Sequence, residues 1–176
     1  MYEELLDIYI SEIEGILEEL SIFTNDLKNK RRLHVVFYDL FRTFRMLKDI
    51  SASAHYILND CKNIKKHTLR YFKQIKQLAL ASELLISHIK EQELNMTHEI
   101  LNLIIVVEKD LNKIFLCIKN NKSRCSNIQS TYQEILLLIE LIFILNLHKK
   151  GCNSALVSVS KLLFVNTHKL QVPILS

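Results

Sequence analysis

Turn-forming residues are nearly missing from this chain: its 176 residues contain two glycines and one proline. A sandwich or any other loop-rich β fold needs such residues about every ten positions, because tight reversals draw on glycine for positive φ and on proline for its fixed φ. Long helices with few connections make no such demand. Leu, Ile, Lys, Glu and Asn dominate the composition, and the apolar residues recur at three- and four-residue steps, the period of a helix face. The expected class is all-α.

The periodicity sets out four or five helices. Leu6, Tyr9, Ile10, Ile13, Leu17, Leu20, Phe23 and Leu27 share one face of a first helix from Tyr2 to Leu27. Phe37, Leu40, Phe41, Phe44 and Leu47 form the inward stripe of a second from Leu33, and the spacing runs on through Ser51, Ala54 and Leu58. A break from Asn59 to Lys66 contains a turn. A third helix, ending near Glu91, follows with Leu69, Phe72, Ile75, Leu78, Ala79, Ser82, Leu85, Ile86 and Ile89 inward. Thr97 suits the N-cap of a fourth helix, since its hydroxyl can accept from an orphan backbone N–H while Glu99 favours the positive end of the dipole. Ile100 through Ile118 supply that helix's stripe. After a connection from Asn120 to Asn127, a fifth helix runs from Ile128 to His148 and stops before Gly151.

Amphipathic helices joined by short links form an up-and-down antiparallel bundle. Its expected extent is residues 1–150. Residues 151–176 do not fit it: Ala155 to Ser160 alternates apolar and small polar residues like a strand, Pro173 interrupts the end, and this tail receives no assigned function. The thirteen residues Ile135 to Leu147 are the most apolar stretch but include Glu140, whereas a spanning helix needs about 20 largely uncharged residues. They read as a buried core helix, not a membrane span.

The four cysteines (Cys61, Cys117, Cys125, Cys152) are widely spaced, with no C-x-x-C pair and no histidine at zinc-finger distance, so neither a disulfide framework nor a metal site is expected. The amino terminus opens into acidic amphipathic sequence without the basic and apolar regions of a secretory signal. A cytoplasmic protein with reduced thiols is the expectation. No cofactor is indicated.

Net charge is +4, unevenly distributed. Residues 1–27 hold eight acids and no Lys or Arg, while residues 28–76 hold thirteen basic residues against three acids. Such a basic stretch suits an acidic partner, or faces the acidic first helix and solvent. A nucleic-acid partner is not expected, because the aromatics do not interleave on the exposed face and no helix-turn-helix or RNA-binding motif is present. A glycine loop for nucleotides and a paired-carboxylate site are also missing, which argues against an independent enzyme.

The string Leu40 to Lys48, L-F-R-T-F-R-M-L-K, carries the most specific signal. It resembles the phosphoacceptor helix of histidine phosphotransfer (HPt) domains, where the pattern is roughly F-R-x-F-H-T-L-K-G. Tyr2 to Leu20 looks like the acidic first helix of the N-terminal phosphotransfer domain of chemotaxis-type histidine kinases, and Leu78 to Leu111 is similar to its later helix and the start of the next. Together the three blocks span about residues 2–118. The resemblance implies a bundle of HPt type in two-component phosphorelay signalling, partnered by a response-regulator receiver domain or a histidine kinase. It also implies that Arg42, Arg45, Lys48 and Asp49 stand on the partner-binding face.

Two departures qualify it. Twenty-three residues separate Lys48 from Phe72, more than the family's short glycine-bearing link, so the second helix is extended or a turn is inserted. The histidine position is Arg45 and the glycine position Asp49. A guanidinium has a pKa above ~12 and no lone pair to attack phosphorus, so Arg45 is not a phosphoacceptor. His67, in His67-Thr68-Leu69-Arg70, reproduces the local motif and is the alternative acceptor, although aligning it abandons the Leu40 to Lys48 match. The other histidines have no family context. The expected role is therefore docking without a phosphohistidine; a polyanion binder using the basic segment from Lys28 to Lys76 and a purely structural helical module, dimerising through Ile135 to Leu147, are the competing readings.

Overall fold

A computed structural model describes residues 2–29, 33–61, 63–91, 97–125 and 128–149. Five helices follow in order: α1 (Tyr2–Lys28), α2 (Leu33–Asn59), α3 (Lys66–Glu91), α4 (His98–Lys119) and α5 (Gln129–Lys149). No strand occurs among the described residues. The protein is an all-α helical bundle.

Helices α1 to α4 close a ring in which α1 packs on α2, α2 on α3, α3 on α4 and α4 back on α1; α5 lies outside it, against α3 and α4. The polar pairs between helices give the directions. Thr24 on α1 meets Glu108 on α4 while Glu14 meets Lys119, so rising numbers face falling ones and the two helices are antiparallel. Lys48 with Glu83 and Tyr38 with Lys90 give the same result for α2 and α3.

The core is built from the stripes that the spacing outlines. Ile13, Leu20, Leu40, Phe44, Leu47, Leu58, Phe72, Ile75, Leu78, Leu111 and Ile114 lose essentially all solvent contact. Truncating one of the buried phenylalanines to alanine costs about 3–5 kcal/mol in such a setting. Helix α2 is continuous past Lys48 to Asn59, so the long interval before Phe72 is an extended helix followed by a short connection, not an inserted one. Phe41 is only half-buried, at the edge of the stripe.

Helix α3 buries a wider arc than one stripe, adding Thr68, Tyr71, Ala81 and Glu83, because α2, α4 and α5 all pack on it. Thr97 caps α4 with extended backbone (φ −78°, ψ 164°), its Oγ1 accepting from the Ile100 N–H at 3.3 Å. At the other end Asn121 takes φ +51°, a left-handed conformation that asparagine tolerates. The Lys122 N–H then donates to the Cys117 carbonyl and the Asn121 N–H to that of Ile118, the paired bonds of a Schellman stop.

The fifth helix differs from expectation. Ile135 and Ile142 are buried, but Leu137, Leu141 and Phe143 stay 51%, 55% and 49% exposed. A helix docked on the outside of a completed four-helix ring can cover only the face turned to α3 and α4, so Ile135 to Leu147 is an edge helix, not a core helix. No helix among the described residues is long and apolar enough to cross a membrane. Gly151, the strand-like run from Ala155, and the boundary at residue 150 lie outside the described residues.

Candidate functional site

Helix α2 is held along its two edges. On one, Ser53 Oγ lies 3.0 Å from the Tyr9 hydroxyl of α1; on the other, Lys48 reaches across to Glu83 of α3. Between these edges an outward ridge remains. Tyr38, Arg42, Arg45, Asp49 and Tyr56 are all exposed, and their steps of four, three, four and seven keep them on one face. The basic residues survive there because each falls off the Leu40–Phe44–Leu47 stripe.

Arg42 and Arg45 stand one turn apart near the middle of the helix. Neither makes an ion pair or a side-chain hydrogen bond among the described residues. The acidic first helix does not neutralise them; its Glu14 pairs instead with Lys119 of α4. Each planar guanidinium is therefore available for bidentate contact with a carboxylate or phosphate. The expectation that aromatics stay off this cationic face is corrected by Tyr38 and Tyr56, 59% and 76% exposed on the same ridge. Their signal in the sequence is a position off the Leu40–Phe44–Leu47 stripe, which turns a tyrosine ring toward solvent. The Lys90 ammonium of α3 sits 5.7 Å from the Tyr38 ring centroid and extends the positive character there.

Lys48 is placed differently from its two neighbours. Its ammonium donates to Glu83 Oε2 at 2.6 Å and lies 3.6 Å from Asp49, with the Lys48 and Glu83 side chains 21% and 11% exposed. It is neither a solvated lysine nor a cation waiting for an outside anion, because a buried carboxylate already holds it. Glu83 is the residue that sequence reasoning passed over. Its signal was an acid lodged beside Ser82 within the inward arc of α3, a placement that requires a cationic partner once the helix packs. Asp49 is exposed and close enough to Lys48 to limit the ridge's net charge.

His67 is not brought to this ridge. It occupies the first turn of α3, at the level of the end of α2, some 20 Å along the bundle from Arg45 at 1.5 Å per residue. Its Nε2 lies 3.2 Å from Asn121 Oδ1 and its ring is tilted against Tyr71 at 5.9 Å. Beside it, at the same end of the bundle, is a cleft of about 500 Å³ that Glu3, Asp7, Lys65 and Lys119 line together with Leu6 and Ile64. No group of His, Cys, Asp and Glu among the described residues is arranged to hold a metal ion.

The site is thus a ridge of hydrogen-bond donors and aromatic rings, suited to binding an anionic surface and lacking a nucleophile at its centre. No family model matches this chain, and no curated protein or solved structure is significantly similar to it.

Proposed function

We propose that this chain is an HPt-like docking module of two-component signalling, cytoplasmic in setting, that binds a receiver domain or a histidine kinase through the α2 ridge without a phosphohistidine of its own at Arg45. One observation carries the reading: Arg45 is exposed and unpaired among the described residues at the middle of α2, where the resemblance places the phosphoacceptor. A buried Arg45 would have ended it. Receiver domains present clustered aspartates, and a pair of guanidiniums one turn apart supplies donors for such a pocket. Exposed tyrosines beside arginines are also the residue types that dominate protein-binding energetics.

The test is incubation with phosphorylated and unphosphorylated receiver domains, following both binding and acid-labile phosphate. Saturable binding that weakens about tenfold or more on Arg45→Ala, with no phosphate on the chain, is expected; tenfold corresponds to about 1.4 kcal/mol, close to the lower bound for one charge-assisted hydrogen bond. Transfer to any histidine would overturn the inactive version and direct attention to His67. Failure to bind any receiver or kinase would remove the docking role.

The exposed apolar face of α5 favours a second reading, self-association through Leu137, Leu141 and Phe143. Sedimentation of the full chain separates a dimer from a monomer, and Leu141→Lys is expected to shift a dimer to monomer without unfolding the ring.

A further inference from the structure

Spacing in the chain disguises a thiol pair. Cys117 lies in the last turns of α4 and Cys125 in the connection to α5, yet the Schellman stop at Asn121 folds the connection back along the helix it has just left. The Cys125 thiol points at the Lys113 carbonyl, 3.6 Å away, and Lys113 is one helical turn before Cys117 on the same face. The Cys117 thiol in turn points at the carbonyl of Arg124, 3.7 Å away, the residue next to Cys125. Each sulfur is therefore docked on backbone close to the other. Both are in the thiol form.

We propose that Cys117 and Cys125 are an oxidation site that closes into an intramolecular disulfide, pinning the lead-in of α5 to the end of α4. The two cysteines divide the chemistry by environment. Burial, followed by the neighbouring Cys125 side chain, pushes the Cys117 thiol up to about 11, which leaves it a poor nucleophile toward reagents in solution. Cys125 is only partly buried and is the sulfur that an oxidant meets.

With hydrogen peroxide, the Cys125 thiolate attacks one oxygen, the O–O bond breaks, and the departing hydroxide takes a proton to leave as water. The product is a sulfenic acid at Cys125. Cys117 then attacks that sulfur, the S–O bond breaks, and the second hydroxide departs as water with the Cys117 proton. Two thiols and one peroxide give one disulfide and two waters. A small-molecule disulfide reaches the same product by exchange, with two thiols released. Cys61 takes no part: it is buried at the end of α2 with its thiol on the Ile57 carbonyl.

The full chain is treated with stoichiometric peroxide, alkylated and digested with trypsin, which cuts after Lys113, Lys119, Arg124 and Lys149. A linked pair of peptides, 114–119 with 125–149, is expected from monomeric protein and is expected to vanish on reduction. Cys117→Ser and Cys125→Ser each abolish the link, whereas the Cys61→Ser, Cys152→Ser double variant retains it, with unchanged helical circular dichroism in all three. Pairing of Cys125 with Cys152 or with a second chain overturns the proposal. So does over-oxidation of Cys125 while Cys117 remains open to alkylation.

Discussion

Lys48 Nζ lies 2.6 Å from Glu83 Oε2 and clamps α2 to α3 three residues beyond Arg45. The clamp does two things at once. It satisfies a carboxylate that packing has taken almost fully out of water, and it turns Lys48 away from the ridge on which Arg42 and Arg45 stand exposed.

Removing one partner is expected to cost more than removing both. Glu83→Ala leaves a half-buried ammonium without its main acceptor and should lower the unfolding free energy by about 1.5–3 kcal/mol, the range for a hydrogen bond to a charged group. Lys48→Met combined with Glu83→Leu replaces the pair with apolar contact and should recover most of that loss. Urea unfolding of the two singles and the double gives the coupling directly; equal, additive losses would show that the contact carries no energy.

Glu99 makes the fourth helix sensitive to acid. Its carboxylate accepts from its own backbone N–H and from the Thr97 hydroxyl, with a smaller contribution from neighbouring His98, and these together hold it below its ordinary 4.5. A depressed carboxylate pKa contributes stability that is present above the unfolded value and is lost as pH falls through the folded one. Protection of the first-turn amides of α4 against hydrogen exchange should therefore decline below about pH 4.5, and Glu99→Gln should flatten that decline. Thr97→Ala removes the cap itself and should cost about 1 kcal/mol at neutral pH.

A polar anchor adds to the apolar face in attaching α5. Asp110 of α4, 7% exposed, accepts from Thr131 Oγ1 at 2.5 Å and from Lys113 Nζ at 2.8 Å. Thr131→Val keeps the side-chain shape but leaves one carboxylate oxygen without its donor, at a cost of about 1–3 kcal/mol. Because that oxygen lies between α4 and α5, hydrogen exchange should accelerate in α5 while α1 and α2 hold. Thr131→Ser retains the hydroxyl and should behave close to the parent.

Helices with one apolar face were legible down to individual residues. In α2 and α4 the stripe contrasts with its flanks, so Leu40, Phe44, Leu47, Ile104 and Leu111 could be placed inward and Arg42 and Arg45 outward without coordinates. Thr97 could be read as a cap for the same local reason. Ile135 through Ile139 are uninterrupted aliphatics, a run with no phase, and nothing local says which side of α5 meets the bundle. The extra burial on α3 depends on its having three neighbours, and the Lys48–Glu83 pair depends on the register of two helices across 35 residues. Periodicity carries no information on either. The approach of Cys125 to Cys117 was hidden likewise, since it follows from the left-handed turn at Asn121.

Arg45→His is the most incisive test of the docking proposal. The substitution exchanges an exposed cation for an exposed imidazole on an undisturbed helix face, so folding should change by no more than about 0.5 kcal/mol. If the α2 ridge meets a receiver or kinase as proposed, the new imidazole is presented where a phosphoryl group is exchanged and has the lone pair that a guanidinium lacks. The variant should then gain acid-labile, base-stable phosphate from a phosphorylated partner while the parent chain stays unlabelled. On the same proposal, the Asp49 carboxylate opposes the incoming phosphate, so Arg45→His with Asp49→Gly should be labelled faster than Arg45→His alone. A double variant that binds the partner yet stays unlabelled would mean that the ridge docks something other than a phosphoryl-bearing site.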